Sequence, residues 1–463
     1  MQHSRLRFAG AVLAALALAG TGCGPLVHGT GEFAANQKPV ADAKVDIKGL
    51  NGQATDVDRI AGNAISDIQT FWTEKFPEIF DGRKYNGPQG GFYSVDPGDS
   101  GASVPCVDSP SEIRGNAFYC PSRDIVAWDR VNLFPDLKKH FGDFLIAMVL
   151  AHEWGHVIQT KSRVDPSRTI VRETQADCYA GAWTRWALGG QAPHFPIQRQ
   201  ELDNALAGYL LFRDPVGSGA DEQQAHGNGF DRITAFQEGF ESGVEHCKGF
   251  NDDRKFTEIR FTRSDDQERG GNLPFDGQDG ALAVGQKDLE ETWPQLFQQS
   301  FGKTFSKPQM DVAASGDTVD CNGQQLKKGV YFCAQANNLK IAHDPLQNVY
   351  ERVDNGDYAP MTLVGIGYAQ VVTVQGGLAT NSEAVTLRRA ICLDGAYTRS
   401  VVDRPADTQA VTLSPGDLDE AMQALLFYAG LDTFFGSPDK MSGFDRVQAY
   451  RIGFGDIKQC ANL

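Results

Sequence analysis

The chain has 463 residues, 41% of them hydrophobic and 22% charged, a composition ordinary for globular protein and a length that allows more than one domain with its own core. Its formal net charge of -16 at pH 7 argues against a nucleic-acid binder, whose contact surface is basic. Otherwise the charge says little, because acidic surfaces mostly serve solubility.

In chain order, His3, Arg5 and Arg7 precede the apolar stretch 8–20, which is too short to span a membrane and is followed by small residues. This predicts a secretory signal peptide over residues 1–22. Cys23 follows Gly20-Thr21-Gly22, similar to a bacterial lipobox but with Gly20 where Leu is usual. Lipidation of Cys23 would anchor the exported protein to the cell membrane on its extracytoplasmic face, with residues 23–44 as a flexible spacer. Cleavage near Ala19 would instead release a secreted protein.

Residues 56–80 read as an amphipathic helix, with Ile60, Ala64, Ile68, Phe71 and Trp72 at helical spacing. Residues 87–110 are rich in Gly, Pro and Ser and read as loop. Residues 116–120 and 124–128 predict a short β-hairpin, and further helices are expected over 141–160, 168–188, 201–211 and 231–244. A few strands beside dominant helices make the class α+β.

The helix over 141–160 carries His152-Glu153-Trp154-Gly155-His156. Two histidines four apart lie one turn apart on one helix face, so both imidazoles can reach one metal ion. Glu153 sits beside them, placed to take a proton from a water at that ion. A catalytic zinc site needs a third protein ligand and an open place. Glu173 is the candidate ligand. Asp177, one turn further on the same face, would accept the outward N–H of a ligand histidine and fix its tautomer. Ala176, Tyr179, Ala180 and Trp183 put this helix in the interior, where unpaired carboxylates are costly. Trp183, Trp186, Tyr179 and Phe195 are expected in the core.

The chain also repeats itself. Gly229-Phe230-Asp231-Arg232 and Gly239-Phe240 reappear as Gly443-Phe444-Asp445-Arg446 and Gly453-Phe454, an offset of 214. At that offset Cys178 faces Cys392, Leu202-Asp203 faces Leu418-Asp419 at 216, and Phe118-Tyr119-Cys120 faces Tyr331-Phe332-Cys333 at 213. Ordered matches at nearly constant spacing predict a domain duplicated in tandem: residues 45–250, a linker or long loop over 251–280, and a second copy over 281–463. At offset 214, His152, Glu153, His156, Glu173 and Asp177 face Ile366, Gly367, Gln370, Leu387 and Ile391. The framework is kept and the chemistry is lost, so the second copy is expected to be degenerate and non-catalytic.

Export implies an oxidising compartment, so the nine cysteines are read as disulfides with Cys23 left over. Four per copy permit three pairings. The preferred set is Cys106–Cys120 with Cys178–Cys247, and Cys321–Cys333 with Cys392–Cys460: one bridge closes a short loop before a strand, the other ties a helix to the end of the copy.

The runs from His152 to Gln159, from Glu173 to Trp183 and from Asn116 to Pro121, with His226-Gly227 and Asp231-Arg232, resemble the bacterial neutral zinc metallopeptidases. The resemblance covers most of the first copy. It implies a zincin-like domain of the gluzincin type, with Zn²⁺ held by His152, His156 and Glu173. It also places His226 in a His-Gly motif, where a second histidine could hydrogen-bond a developing oxyanion as a catalytic group; a helix-entry or surface histidine is the plainer reading. The retention of Arg232 as Arg446 favours a structural role.

The expected function is an exported zinc metallopeptidase acting on a peptide or protein substrate, with Glu153 as general base. The strand over 125–128 is expected to be able to pair with an extended peptide. The alternative is a cell-envelope binding or scaffold protein that holds zinc with little or no hydrolysis. Glu153 favours the enzyme, since a purely structural zinc site needs no general base.

Overall fold

The computed structural model describes residues 40–50, 52–218, 227–261, 263–317, 319–321, 324–326, 329–405, 411–427, 435 and 441–463. The segment 1–22 and Cys23 lie outside them, as do His226 and residues 24–39. The N-terminal half runs β1 (Ile47–Lys48), α1 (Asp56–Ile79), β2 (Gly91–Val95), β3 (Ala117–Cys120), β4 (Ile125–Asp129), α2 (Leu133–Phe141), α3 (Asp143–Ser162), α4 (Thr169–Trp186), α5 (Arg199–Tyr209) and α6 (Gly229–Lys248). After the short α7 (Ser264–Glu268), the C-terminal half runs α8 (Ala281–Phe301), β5 (Gln309–Val312), β6 (Val319–Cys321), β7 (Gln324–Leu326), β8 (Val330–Cys333), β9 (Asn338–Ile341), α9 (His343–Arg352), α10 (Tyr358–Gly376), α11 (Glu383–Val402), α12 (Asp417–Phe427) and α13 (Gly443–Gly455). The fold is α+β and mainly helical.

Helix α1 starts at a capping box: Asp58 Oδ2 accepts the Thr55 N–H at 2.6 Å. Its apolar stripe, including Ile60, Ala64, Ile68, Phe71 and Trp72, is buried. Helix α3 is apolar nearly all round and buried from Phe144 to Gly155, the pattern of a central core helix. Gly142, with φ 90°, separates α3 from α2, so the helix expected from 141 begins two residues later.

The first sheet has the order β1-β2-β4-β3, with β2 parallel to β4 and β3 antiparallel to it. The hairpin expected from sequence is present, but β2 lies inside the stretch read as loop. Its Phe-Tyr-Ser-Val core is flanked by Gly and Pro, whose turn signals mask a strand of five residues. The sheet also corrects the strand expected to meet substrate. β4 is paired on both sides, by β2 and β3, and has no free edge; β3 is the edge strand beside α3.

In the C-terminal half β5, β9 and β8 form a sheet with β5 parallel to β9 and β8 antiparallel to it, the same arrangement as β2, β4 and β3. Helix α10 packs on α11 and α11 on α13, as α3 packs on α4 and α4 on α6. The halves meet through reciprocal ring pairs, Phe230 with Phe454 and Phe240 with Phe444, with centroids 4.7 and 4.6 Å apart. Disulfides join Cys106 to Cys120, Cys178 to Cys247, Cys321 to Cys333 and Cys392 to Cys460.

Described residues of the stretch 251–280 are tied to the helices that precede it. Asp252 accepts the Ser167 hydroxyl at 2.6 Å and the Arg168 N–H at 3.0 Å, the Thr257 N–H donates to Asp231 at 2.9 Å, and Phe275 is buried. No helix among the described residues is long and apolar enough to cross a membrane.

Candidate metal centre

Helices α3 and α4 cross closely because Gly155, inside the His-Glu-x-x-His segment, has no side chain. A Cβ there would lie 2.5 Å from Ala176 Cα. That crossing sets Glu173 opposite the two histidines. His152 Nε2 lies 3.3 Å from Glu173 Oε2, and His156 Nε2 lies 3.5 Å from Glu173 Oε1. One donor atom from each of the three falls within 4.8 Å of the others.

Both imidazoles are anchored through Nδ1. His152 Nδ1–H donates to Asp177 Oδ1 at 2.8 Å, and His156 Nδ1–H donates to Gln159 Oε1 at 2.9 Å. Each ring therefore turns its Nε2 toward Glu173, the atom that a metal would take in exchange for its proton. Gln159 is itself fixed, donating to the Arg172 carbonyl at 2.7 Å and to Gln175 Oε1 at 3.1 Å.

Asp177 is fully buried and receives more than the histidine. Arg232 donates to it twice, Nε to Oδ2 at 2.9 Å and Nη2 to Oδ1 at 2.8 Å, and the Tyr209 hydroxyl donates to Oδ1. Burial would raise the Asp177 carboxyl, but the Arg232 guanidinium and His152 outweigh it and hold it down to about 2. For His152, burial opposes the charge, but Asp177 and Glu173 raise it to about 10 in the metal-free protein. Glu173 lies well below the ordinary range: burial would raise it, and the two histidines prevail.

Glu153 points to the other side of the site. Its Oε2 accepts the Tyr119 N–H of β3 at 2.9 Å. Burial, the largest influence, pushes its carboxyl up. Glu153 and the three candidate ligands line a cleft of about 1030 Å³, together with Asn116–Tyr119, Arg213, Asp214 and Pro215.

His152, Glu153, His156, Glu173 and Asp177, named from sequence, are thus brought together in one place. Trp183, Trp186, Tyr179 and Phe195 are buried in the core. Tyr209 and Gln159 were not foreseen as supports; for Arg232 a structural role was expected, but not its partner Asp177. Gln159 stands one turn past His156, a spacing from which its role could be read. Tyr209 comes from another helix with no local signal, whereas Arg232 was marked by its recurrence as Arg446. In the C-terminal half Ile366 and Ile391 are fully buried, Leu387 nearly so, and Gly367 has no side chain. None of them can ligate a metal. Arg446 donates instead to the Leu425 and Met441 carbonyls, each at 2.7 Å.

Two histidines from one helix, a glutamate from the next and a carboxylate beside the open side define a zinc-peptidase type of centre in an α+β fold. A family model described as "Putative neutral zinc metallopeptidase" matches residues 7–250, more than half of the chain, and the protein belongs to that family. Among curated relatives, "Uncharacterized protein YpfJ" of Escherichia coli K12 is 29% identical over 150 residues, covering 27% of this chain and 50% of its own length. "Uncharacterized protein Rv2575" of Mycobacterium tuberculosis is 28% identical over 164 residues, covering 30% of this chain and 55% of its own. The chain thus spans about half the length of the curated relatives it matches. No solved structure matches it.

Proposed function

We propose that the protein is a zinc-dependent peptidase hydrolysing peptide bonds in the cleft below β3. The observation that carries this is Glu153. It stands beside a complete three-ligand set and is not needed to hold the metal. His152, His156 and Glu173 suit zinc by donor type, two imidazoles and one carboxylate, with both rings anchored through Nδ1 so that Nε2 faces the third ligand. When bound there, zinc supplies the Lewis acidity that makes water a nucleophile and polarises a scissile carbonyl. Glu153 takes the proton of the attacking water on its carboxylate and returns it to the leaving amine. Its bond to the Tyr119 N–H fixes one oxygen and leaves the other for the proton. β3 is the edge strand in the cleft wall, so an extended peptide would run beside it, with the Tyr119 N–H held by Glu153 and the Ala117 N–H by Asn116.

Four disulfides favour export, and the basic and apolar leader with Cys23 favours a lipid anchor on the extracytoplasmic face. The recurring sheet order and helix packing support a second, degenerate copy over residues 281–463.

The test is zinc-loaded protein assayed on a diverse peptide library. The parent should cleave. Glu153→Gln should keep its zinc and lose at least about 10²-fold in rate. Equal cleavage by the variant, or zinc-loaded parent that cleaves nothing, rejects the peptidase reading.

A further inference from the structure

A second group of carboxylates lies away from the cleft. Asp357, Asp417 and Glu420 each present one oxygen, all within 4.8 Å of one another. The three residues are only 4%, 5% and 8% exposed. Each has one oxygen held by the main chain: Leu273 N–H to Asp357 Oδ2 at 2.9 Å, Ser414 N–H to Asp417 Oδ2 at 2.8 Å, and Tyr358 N–H to Glu420 Oε2 at 2.8 Å.

Two further facts point to a ligand. Asp357 Oδ1 and Asp417 Oδ1 are buried and accept no hydrogen bond. The charged groups that act on the three are themselves acidic: each other, Asp266 and Asp419. No Lys, Arg or His pairs with any of the three among the described residues. Three buried carboxylates without a counter-charge are costly. Gly356 makes the room, since a Cβ there would lie 2.5 Å from Glu420 Cδ.

We propose that Asp357, Asp417 and Glu420 bind a hard divalent cation of the Ca²⁺ and Mg²⁺ class. An all-oxygen, all-carboxylate set selects such ions over zinc, which favours nitrogen and sulfur donors. The cation ties the start of α10 to the start of α12 and, through Leu273, to the 251–280 segment. Gly416 of the same turn packs beside Val216, so the clasp backs the chain that runs on from Asp214 and Pro215 in the cleft wall.

The experiment strips the full chain with chelator and titrates Ca²⁺ and Mg²⁺ separately, reading calorimetry and thermal unfolding. One equivalent of Ca²⁺ or Mg²⁺ should bind and raise the Tm by several degrees, and the two arms identify the preferred ion. Asp357→Asn/Asp417→Asn should lose both effects, its cation-free Tm should match or exceed that of the cation-free parent, and a separate sample loaded with zinc and not stripped should hold as much zinc as the parent. Glu420→Gln is the second variant should the double one not fold, and it too should lose the effect. No binding at millimolar Ca²⁺ or Mg²⁺, a response to zinc alone, or an undiminished response in the variants overturns the proposal. Zinc content and cleavage at the His152 site are separate readouts, so either assignment can fail without the other.

Discussion

Asp203 and Asp419 make the same contact in opposite directions. Asp203 on α5 accepts the Gly443 and Phe444 N–H groups at the start of α13, at 2.6 and 2.8 Å, and Asp419 on α12 accepts the Phe230 N–H at the start of α6, at 2.9 Å. Each half thus caps a helix of the other, as two subunits do across a two-fold axis, but within one chain. This is what the proposed duplication would leave if the domain once paired with a second copy of itself.

Asp203→Ala and Asp419→Ala should therefore each destabilise the protein by a similar amount, about 1 kcal/mol each. Thermal unfolding of the two single variants measures it, with zinc content unchanged. A loss confined to one of them would show that the two caps are not equivalent.

Asp177→Asn should do two kinds of damage. It leaves Arg232 buried without its counter-charge, at a cost of about 3–5 kcal/mol. It also weakens the acceptor that orients His152, lowering zinc affinity by about 10–100-fold. Tyr209→Phe removes only one donor to Asp177 and should cost about 1 kcal/mol. Denaturant unfolding and competitive zinc titration separate the two effects.

Gly155→Ala tests the helix crossing. The added methyl would meet Ala176 Cα at 2.5 Å, so α3 and α4 must move apart. Stability should fall by about 1–3 kcal/mol. Zinc affinity should fall with it, although no ligand has been changed, because Glu173 moves with α4. Unchanged affinity in a destabilised variant would mean the ligands adjust independently of the crossing.

The metal-free protein should lose stability as pH rises. Burial opposes the charge on His152, but Asp177 and Glu173 raise its folded pKa to about 10, above an unfolded value of about 6.5. The contribution is complete below pH of about 6.5 and disappears as pH climbs toward 10. Zinc must displace that proton, so its affinity should rise over the same window with measurable proton release. Asp177 acts in the opposite sense: Arg232 and His152 overcome burial to hold it at about 2, so its contribution is present above pH of about 3.8 and lost as pH falls through 2. Unfolding of chelated protein across the pH range, and zinc titration in buffers of differing protonation enthalpy, check both.

Sequence alone determined what depends on short-range periodicity and on residue chemistry. His152 and His156 share a face because a helix turns once in about 3.6 residues, and Glu173 with Asp177 follow the same rule on the next helix. The apolar residues around those acids showed that they would be buried and so in need of partners. The internal offset of 214 was visible because framework residues recur while Ile366, Gly367, Gln370, Leu387 and Ile391 replace the chemistry.

Only the tertiary structure decided which residues hold that chemistry in place. Tyr209 and Arg232 reach Asp177 from α5 and α6, and no local pattern encodes a contact made across 32 or 55 positions. The strand β2 was hidden because its five residues sit among turn formers, and its place beside β4 depends on pairing partners far along the chain. That pairing makes β3, not β4, the edge strand at the cleft. Asp203 and Asp419 read as ordinary helix acids until the two halves meet, since the N–H groups they accept belong to helices more than 180 positions away. Spacing along one helix is local geometry; which buried acid finds a counter-charge is settled only when distant helices pack.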